Sequence, residues 1–379
     1  MNARARDVLD RLGFALDPTA IVSSLNVAQQ QMVEIAKALS RNAKLLVLDE
    51  PSAVLGESEI EKLFGVIRKL TAEGVSFIYI SHRLAEIFEI AGRIVVMRDG
   101  CVVGEAAAQD VHADDLVRMM VGREISNLFP LRQRNPGPVA LSVKGLTRRD
   151  IIEDVSFDVR EGEIVGICGL AGAGRSEVLR AILGADRIDG GEVYVHGEKT
   201  TFTSPGAATR HGVGLLPEDR KTQGMFAPQS VGFNVTIARL ESLLWPGILS
   251  EGKERVTVQK YMNELQIKAP EPESKIADLS GGNQQKCILA KLLNARCRVL
   301  LVDEPTRGVD VAAKSEIYQI LADLADRGRA AIVMVSSELP EVLGLADRVL
   351  VMCRGRLTAA FAREEATEEL VMRYATQST

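Results

Sequence analysis

The chain has 379 residues, 46% hydrophobic and 26% charged, with a net charge of -5; it is too long for one ordinary core and too apolar to be largely disordered. The acidic balance offers no overall electrostatic footprint for nucleic acid, which requires basic groups against the phosphates. No run approaches the ~20 apolar residues of a membrane span, and Cys101, Cys168, Cys287, Cys297 and Cys353 form no C-x-x-C pair, which favours buried thiols in a reducing compartment over disulfides or zinc.

The opening stretch "MNARARDVLDRLGF" alternates charged and apolar residues at helical spacing and lacks the continuous apolar core of a signal peptide. A soluble protein with at most a peripheral membrane role is expected. Next, "QQMVEIAKALSRNAKLLVLDEPSAVL" (30–55) reads as a helix and then a short apolar strand that ends on Asp49 and Glu50. The same pattern returns as "QQKCILAKLLNARCRVLLVDEPTRGV" (284–309), shifted by 254 residues. After a single insertion the match resumes, pairing "GRIVVMRDG" (92–100) with "DRVLVMCRG" (347–355). A register that runs through helix, strand, loop and strand marks a tandem domain. Between the copies, "SNLFPLRQRNPGPVA" (126–140) has no periodicity and reads as a short linker. The expected organisation is a first copy over 1–125, a linker over 126–138 and a second copy over 139–379.

In the second copy, "EIVGICG" (163–169), "RVLLVDE" (298–304) and "AAIVMVS" (330–336) are short continuous apolar runs, which suit strands buried on both faces of a parallel sheet. "SEVLRAIL" (176–183) and "SEIYQILADLADRG" (315–328) are amphipathic and predict helices. Strand, glycine loop and helix in that order predict an α/β domain with its ligand at the strand carboxyl ends. The first copy has no glycine loop of its own.

Three motifs carry chemistry. In Gly169, Leu170, Ala171, Gly172, Ala173, Gly174, Arg175 and Ser176, the glycines let the backbone approach a phosphate, and the helix that follows aims its amides at the same place. The spacing is that of a phosphate loop with Ser176 as a Mg²⁺ ligand, although a dinucleotide-type or helix-packing turn shares it. Downstream, Asp303 suits a Mg²⁺ held through water, and Glu304 suits the orientation or deprotonation of an attacking water. In "LSGGNQQ" (279–285), Ser280, Gly281 and Gly282 place a hydroxyl and open amides at a helix start, which serves equally as an anion site or a helix cap.

The ordered set "GLAGAGRS", "LSGGNQQ" and "LLVDEPTRGVD", with "LDEPSAVL" and "YISHRL" in the first copy, resembles the ATP-binding subunit of an ABC transporter, a P-loop NTPase fold. The tandem arrangement, "VGREI…LFP" (121–129), "PEDRKTQG" (217–224) and Arg175 resemble in particular the double-cassette subunits of bacterial monosaccharide importers of the ribose, galactose and xylose type. The resemblance implies ATP and Mg²⁺ as ligands, membrane permease subunits and a periplasmic or extracellular sugar-binding protein as partners, no nucleic acid, and a place on the cytoplasmic face of the plasma membrane. A homodimer is left open. The resemblance also implies head-to-tail nucleotide sites. One would join Asp49, Glu50 and His82 to Ser280, Gly281 and Gly282. The other would join the loop from Gly169 to Ser176, Glu218, Asp303 and Glu304 to Leu25–Gln29.

Several positions depart from that pattern. Arg175 replaces Lys with a bulkier planar fork, and Ser337 stands where the first copy has His82. Asn26 and Ala28 stand at the positions of Ser280 and Gly282, and Gly56 at that of Asp310. The stretch "LTRRDIIED" (146–154) offers no aromatic platform for adenine. The first cassette is expected to be incomplete, with apolar sheet flanks uncovered and lower stability than 139–379. Hydrolysis by this chain alone is therefore expected to be weak. Two other readings stay open: a non-catalytic nucleotide-binding remnant or regulatory module, and a soluble ABC protein of translation or DNA repair.

Overall fold

The computed structural model describes all residues except 1, 15, 41–42, 53–54, 56, 82, 99, 122–128, 134, 246–247 and 377–379. The chain divides into two compact units, Met1–Ile125 and Ser126–Thr379, and each is described by itself.

In the first unit, α1 (Asn2–Leu12) and α2 (Val27–Leu39) lead into β1 (Leu45–Asp49), α3 (Glu57–Ala72), β2 (Ser76–Ile80), α4 (Leu84–Ile90), β3 (Arg93–Arg98), β4 (Cys101–Ala107) and α5 (Ala113–Val121). β1 and β2 pair in parallel and β3 and β4 antiparallel, as two separate two-stranded sheets. Leu46, Leu48, Ile94 and Val96 are buried, the last three in small clusters with the helices. In strands β1 to β3, Val47, Ile78, Ile80, Val95 and Met97 are exposed.

The second unit begins with an antiparallel pair, β5 (Val139–Arg148) and β6 (Ile152–Arg160), followed by β7 (Ile164–Gly169) and α6 (Arg175–Ile182). Then come β8 (Gly190–Val195), β9 (Glu198–Thr200), α7 (Pro205–Arg210), β10 (Val213–Leu216), α8 (Val231–Thr236), the short pair β11 (Leu244–Trp245) and β12 (Ile248–Leu249), and α9 (Glu251–Glu264). The remainder is α10 (Gly281–Asn294), β13 (Val299–Asp303), α11 (Val311–Asp326), β14 (Ala331–Val335), α12 (Leu339–Leu345), β15 (Arg348–Cys353), β16 (Arg356–Ala362) and α13 (Glu368–Thr376).

The central sheet has the order β10-β13-β14-β7-β15-β16, parallel except for its last pair. Every residue of β13 and β14 is buried, as two-sided coverage requires and as their unbroken Val, Leu, Ile and Met runs anticipate. On one face, Leu300, Val302, Met334 and Val351 pack with α8 to α13. On the other, Leu301, Val333, Leu350 and Met352 pack against α6 and the antiparallel sheet β6-β5-β8-β9. Asp310 caps α11 by accepting from the amide of Ala313 at 2.9 Å, a role that its counterpart glycine could not fill.

Two sequence expectations change in detail. Cys168, Cys287 and Cys297 are buried, and burial raises each thiol to about 12, but Cys101 is exposed and Cys353 half-buried. Within the stretch read as a linker, Phe129 stacks on Tyr318 with ring centroids 5.1 Å apart. Nearby, the Arg132 side chain, 4% exposed, is bonded to Asp326, Asp347 and the Gly162 carbonyl. These residues are part of the second unit's packing, because an aromatic ring gains by leaving water and a guanidinium paired with carboxylates can be buried.

Candidate functional site

The glycine loop leaves the carboxyl end of β7, in the middle of the central sheet, and enters α6. Gly174 turns the chain with φ +96°, and a Cβ there would stand 3.0 Å from Ile152 Cγ2 and 3.2 Å from the Ile151 carbonyl oxygen. No other residue type turns there without strain. A Cβ at Gly172 would meet nothing within 4 Å, so this part of the loop faces open space.

The sheet brings four predicted residues of the second unit together. Ser176 Oγ, in the first turn of α6, donates to Asp303 Oδ1 at 3.0 Å. Asp303 ends β13 and is 4% exposed. Burial is the main reason that its carboxyl is pushed up to about 6, with the Glu304 charge adding to the effect. Glu304 follows with a left-handed φ of +46°, which turns its side chain from the strand towards the loop. Arg175 donates through Nη1 to the Ser336 carbonyl at 2.8 Å, and its Nη2 lies 3.8 Å from Glu304 Oε1. Ser337 Oγ donates to Glu304 Oε2 at 3.0 Å. Burial raises the Glu304 carboxyl as well.

This arrangement fits a Mg²⁺-nucleotide. A hydroxyl and a carboxylate in contact form a hard-oxygen pair of the kind Mg²⁺ takes, and a buried carboxylate with a raised pKa lacks the counter-charge that a cation supplies. Leu170, Ala171 and Ala173 complete the loop around the open side at Gly172.

The other predicted positions lie apart from this cluster. Glu218 is exposed and paired with Arg307 in the loop beyond Glu304. Ser280 precedes α10 and does not cap it; its hydroxyl accepts from Asn283 Nδ2 at 2.9 Å. The amides at the start of α10 are thus not taken by its side chain. Gly281 has a packing reason as well, since a Cβ there would lie 2.8 Å from the Gly308 carbonyl oxygen and 2.7 Å from Arg220 Nη2, while one at Gly282 would strike Ala313. Arg220 joins this helix start to the loop after Glu304, bonding Gln284 at 3.1 Å and the Arg307 carbonyl at 2.7 Å.

In the first unit, Asp49 ends β1 and is exposed, while Glu50 repeats the φ of +46°. His82 and Gly56 lie outside the described residues. At Leu25–Gln29 the structure has a full capping box. Asn26 Oδ1 accepts from the Gln29 amide at 2.8 Å, and Gln29 Oε1 accepts from the Asn26 amide at 3.1 Å. This stretch is thus a capped helix start, in contrast to Ser280.

Sequence reasoning missed Ile151, in the turn between β5 and β6. It is 37% exposed, and its backbone carbonyl adjoins Gly174 and Gly355, a neighbourhood that no local pattern announces. It also missed Glu341, a buried carboxylate with no motif around it.

A sequence profile of the ABC transporter family matches residues 1–53 and 152–307. The chain is 50% identical over 377 residues to the ribose import ATP-binding protein RbsA 1 of Rubrobacter xylanophilus, covering 99% of this chain and 75% of that protein. It is 47% identical over 376 residues to the ribose import ATP-binding protein RbsA of Bacillus licheniformis, covering 99% and 76%. Among solved structures, a nucleotide-free ATP-binding cassette from an ABC transporter superimposes with TM-score 0.52 at 21% identity, covering 61% of this chain and 93% of that one. The cbiO1 protein of Clostridium perfringens gives 0.53 at 22% identity, covering 62% and 92%. The glycine loop in the middle of a parallel sheet, the acidic strand end beside it and these likenesses agree, and the chain belongs to the ABC transporter family of ATP-binding proteins.

Proposed function

We propose that the chain is the ATP-binding, energy-coupling subunit of a carbohydrate importer, with ribose or a related monosaccharide as cargo carried by other subunits. Its partners are membrane permease subunits and an extracytoplasmic sugar-binding protein, and it works at the cytoplasmic face of the membrane. No described helix is long and apolar enough to cross a bilayer, so attachment would run through those subunits. Residues 1–125 correspond to the C-terminal part of one cassette and 139–379 to a second cassette.

The observation that carries this reading is the contact of Ser176 with Asp303 at the mouth of the glycine loop, with Glu304 beside it. Ser176 and Asp303 would hold Mg²⁺, which supplies charge neutralisation on the phosphate oxygens. The amides from Gly169 to Ser176 cradle the phosphates, Arg175 adds fixed positive charge, and Glu304 accepts the proton of an attacking water. Ser280, Gly281 and Gly282 offer the uncapped start of α10 to a nucleotide phosphate. Asp49, Glu50 and His82 hold the corresponding metal and catalytic roles in the first copy, and Glu218 senses the metal and the membrane partner.

The full chain should bind an ATP analogue in a Mg²⁺-dependent manner, and Ser176→Ala or Asp303→Asn should remove the Mg²⁺ dependence. Binding that ignores both Mg²⁺ and these substitutions would refute the site. A second reading, a nucleotide-binding module with little hydrolysis, is favoured by one feature: Arg175 and Ser337 engage both oxygens of Glu304. Steady-state turnover separates the two, since a rate indistinguishable from background with binding intact selects the second.

A further inference from the structure

Glu341, in the first turn of α12, is 2% exposed. Its carboxylate accepts from Thr306 Oγ1, from Tyr318 OH at 2.5 Å and from Ser336 Oγ at 2.8 Å, and Lys314 Nζ lies 3.6 Å away. Burying a carboxylate costs several kcal/mol unless every lone pair is met, and well-packed apolar residues in its place are often neutral or more stable. Packing alone therefore gives no reason to keep it.

The first unit builds the same cage from different parts. Glu86, 6% exposed, accepts from Ser52 Oγ at 2.7 Å, Tyr79 OH at 2.8 Å and Ser81 Oγ at 3.2 Å, with Arg83 Nη1 at 3.3 Å. Ser52 and Thr306 are repeat counterparts, as are Ser81 and Ser336. The phenol and the cation are not. The helix position of Tyr318 is held by Phe64, and the strand position of Tyr79 by Met334. Lys314 comes from α11, whereas Arg83 precedes α4. Two elements have exchanged donors while the carboxylate keeps a tyrosine, two aliphatic hydroxyls and a cation.

The two aliphatic hydroxyls mark what the cage ties together. Thr306 lies two residues after Glu304, and Ser336 immediately precedes Ser337, which bonds Glu304. The Ser336 carbonyl also accepts from Arg175. Glu304 and Glu50 both sit at φ +46°, a conformation that persists only where the surroundings over-determine it.

We propose that Glu341 and Glu86 are positioning residues. Each pins the loop after a catalytic carboxylate to the chain just beyond the neighbouring strand, through Thr306 and Ser336 or through Ser52 and Ser81, so that Glu304 is held at a fixed place relative to Ser337 and Glu50 relative to Ser81. This rests on the roles given above to Glu304 and Glu50. Misplacement of a reacting group by about 1 Å costs on the order of 10²-fold in rate.

The test compares the full chain with Glu341→Gln, Thr306→Val and Thr306→Ser variants, by Mg²⁺-ATP turnover and by amide exchange over 303–309 and 335–341. Positioning predicts that Glu341→Gln and Thr306→Val lower kcat about 10- to 100-fold with KM within about 3-fold, and that Thr306→Ser restores it. Exchange should accelerate about 10-fold in both segments together. Unchanged kcat in both disruptive variants, or faster exchange in α12 alone, would overturn the proposal. If the parent chain does not turn over ATP, the catalytic half of the proposed function fails, and the exchange comparison alone decides the role of Glu341.

Discussion

Val47 and Leu301 occupy the same place in matching strands of the two units, yet Val47 is 58% exposed and Leu301 is 0%. The pattern repeats at Ile78 against Val333, Ile80 against Val335, Val95 against Leu350 and Met97 against Met352, always exposed in the first unit and buried in the second. All five buried partners face α6 and the β6-β5-β8-β9 sheet, elements with no counterpart among the described residues of the first unit. In the second unit β7 also bridges β14 and β15. Without a bridging strand, β2 and β3 stay in separate sheets. Sequence likeness thus preserves each strand, but a strand's stability depends on what covers its faces and pairs its edges.

The largest expected consequence is a difference in local stability. Limited proteolysis of the full chain should cut within 1–125 at protease levels at least ~10-fold below those that cut 139–379, and similar thresholds would break the comparison.

Matched substitutions test its cause. Val333→Thr places a hydroxyl where β14 is fully buried and should cost about 1–3 kcal/mol. Ile78→Thr, at the exposed counterpart, should stay within about 0.5 kcal/mol. Equal losses in chemical denaturation would mean that the first unit's exposed face is covered in solution.

Asp303 and Asp49 sharpen the functional side. The Asp303 carboxyl is raised to about 6 by burial, so the stability it contributes is fully present below its ordinary value and is lost as pH rises through about 6. Asp303→Asn should therefore stabilise the ligand-free chain by about 1–2 kcal/mol above pH 7, a few degrees in Tm. The same change should abolish Mg²⁺-dependent nucleotide binding. In the parent, that binding should weaken as pH falls below about 6, because the cation needs the carboxylate ionised. Asp49→Asn, at an exposed strand end, should leave Tm unchanged. A pH-independent affinity in the parent would contradict the assigned role of Asp303.

The smallest effect concerns the two helix starts. Asn26→Ala removes a capping box and should cost about 1 kcal/mol, whereas Ser280→Ala should cost less because Ser280 does not cap α10. Thermal melts of the two variants check the order.

Much of this site is legible in the sequence. Gly174, Ser176, Asp303 and Glu304 announce themselves because phosphate and metal chemistry restrict both residue type and spacing. Strands β7, β13 and β14 were legible because burial on both faces leaves unbroken apolar runs. Glu341 was not, because its donors come from 306, 318 and 336, and no local pattern records where three distant hydroxyls converge. The engagement of Glu304 by Arg175 and Ser337 was hidden for the same reason. The departures at 175 and 337 were readable as changed letters, but their mutual geometry was not.

Composition, periodicity and ordered motifs were enough for the α/β class and for the succession of strand, glycine loop and helix, since each is written in nearest-neighbour terms along the chain. Which repeated strands are covered, which helix start is left uncapped and which carboxylate ties two loops together depended on three-dimensional packing. The energies involved, burial of apolar faces and satisfaction of a buried charge, arise between residues far apart in sequence.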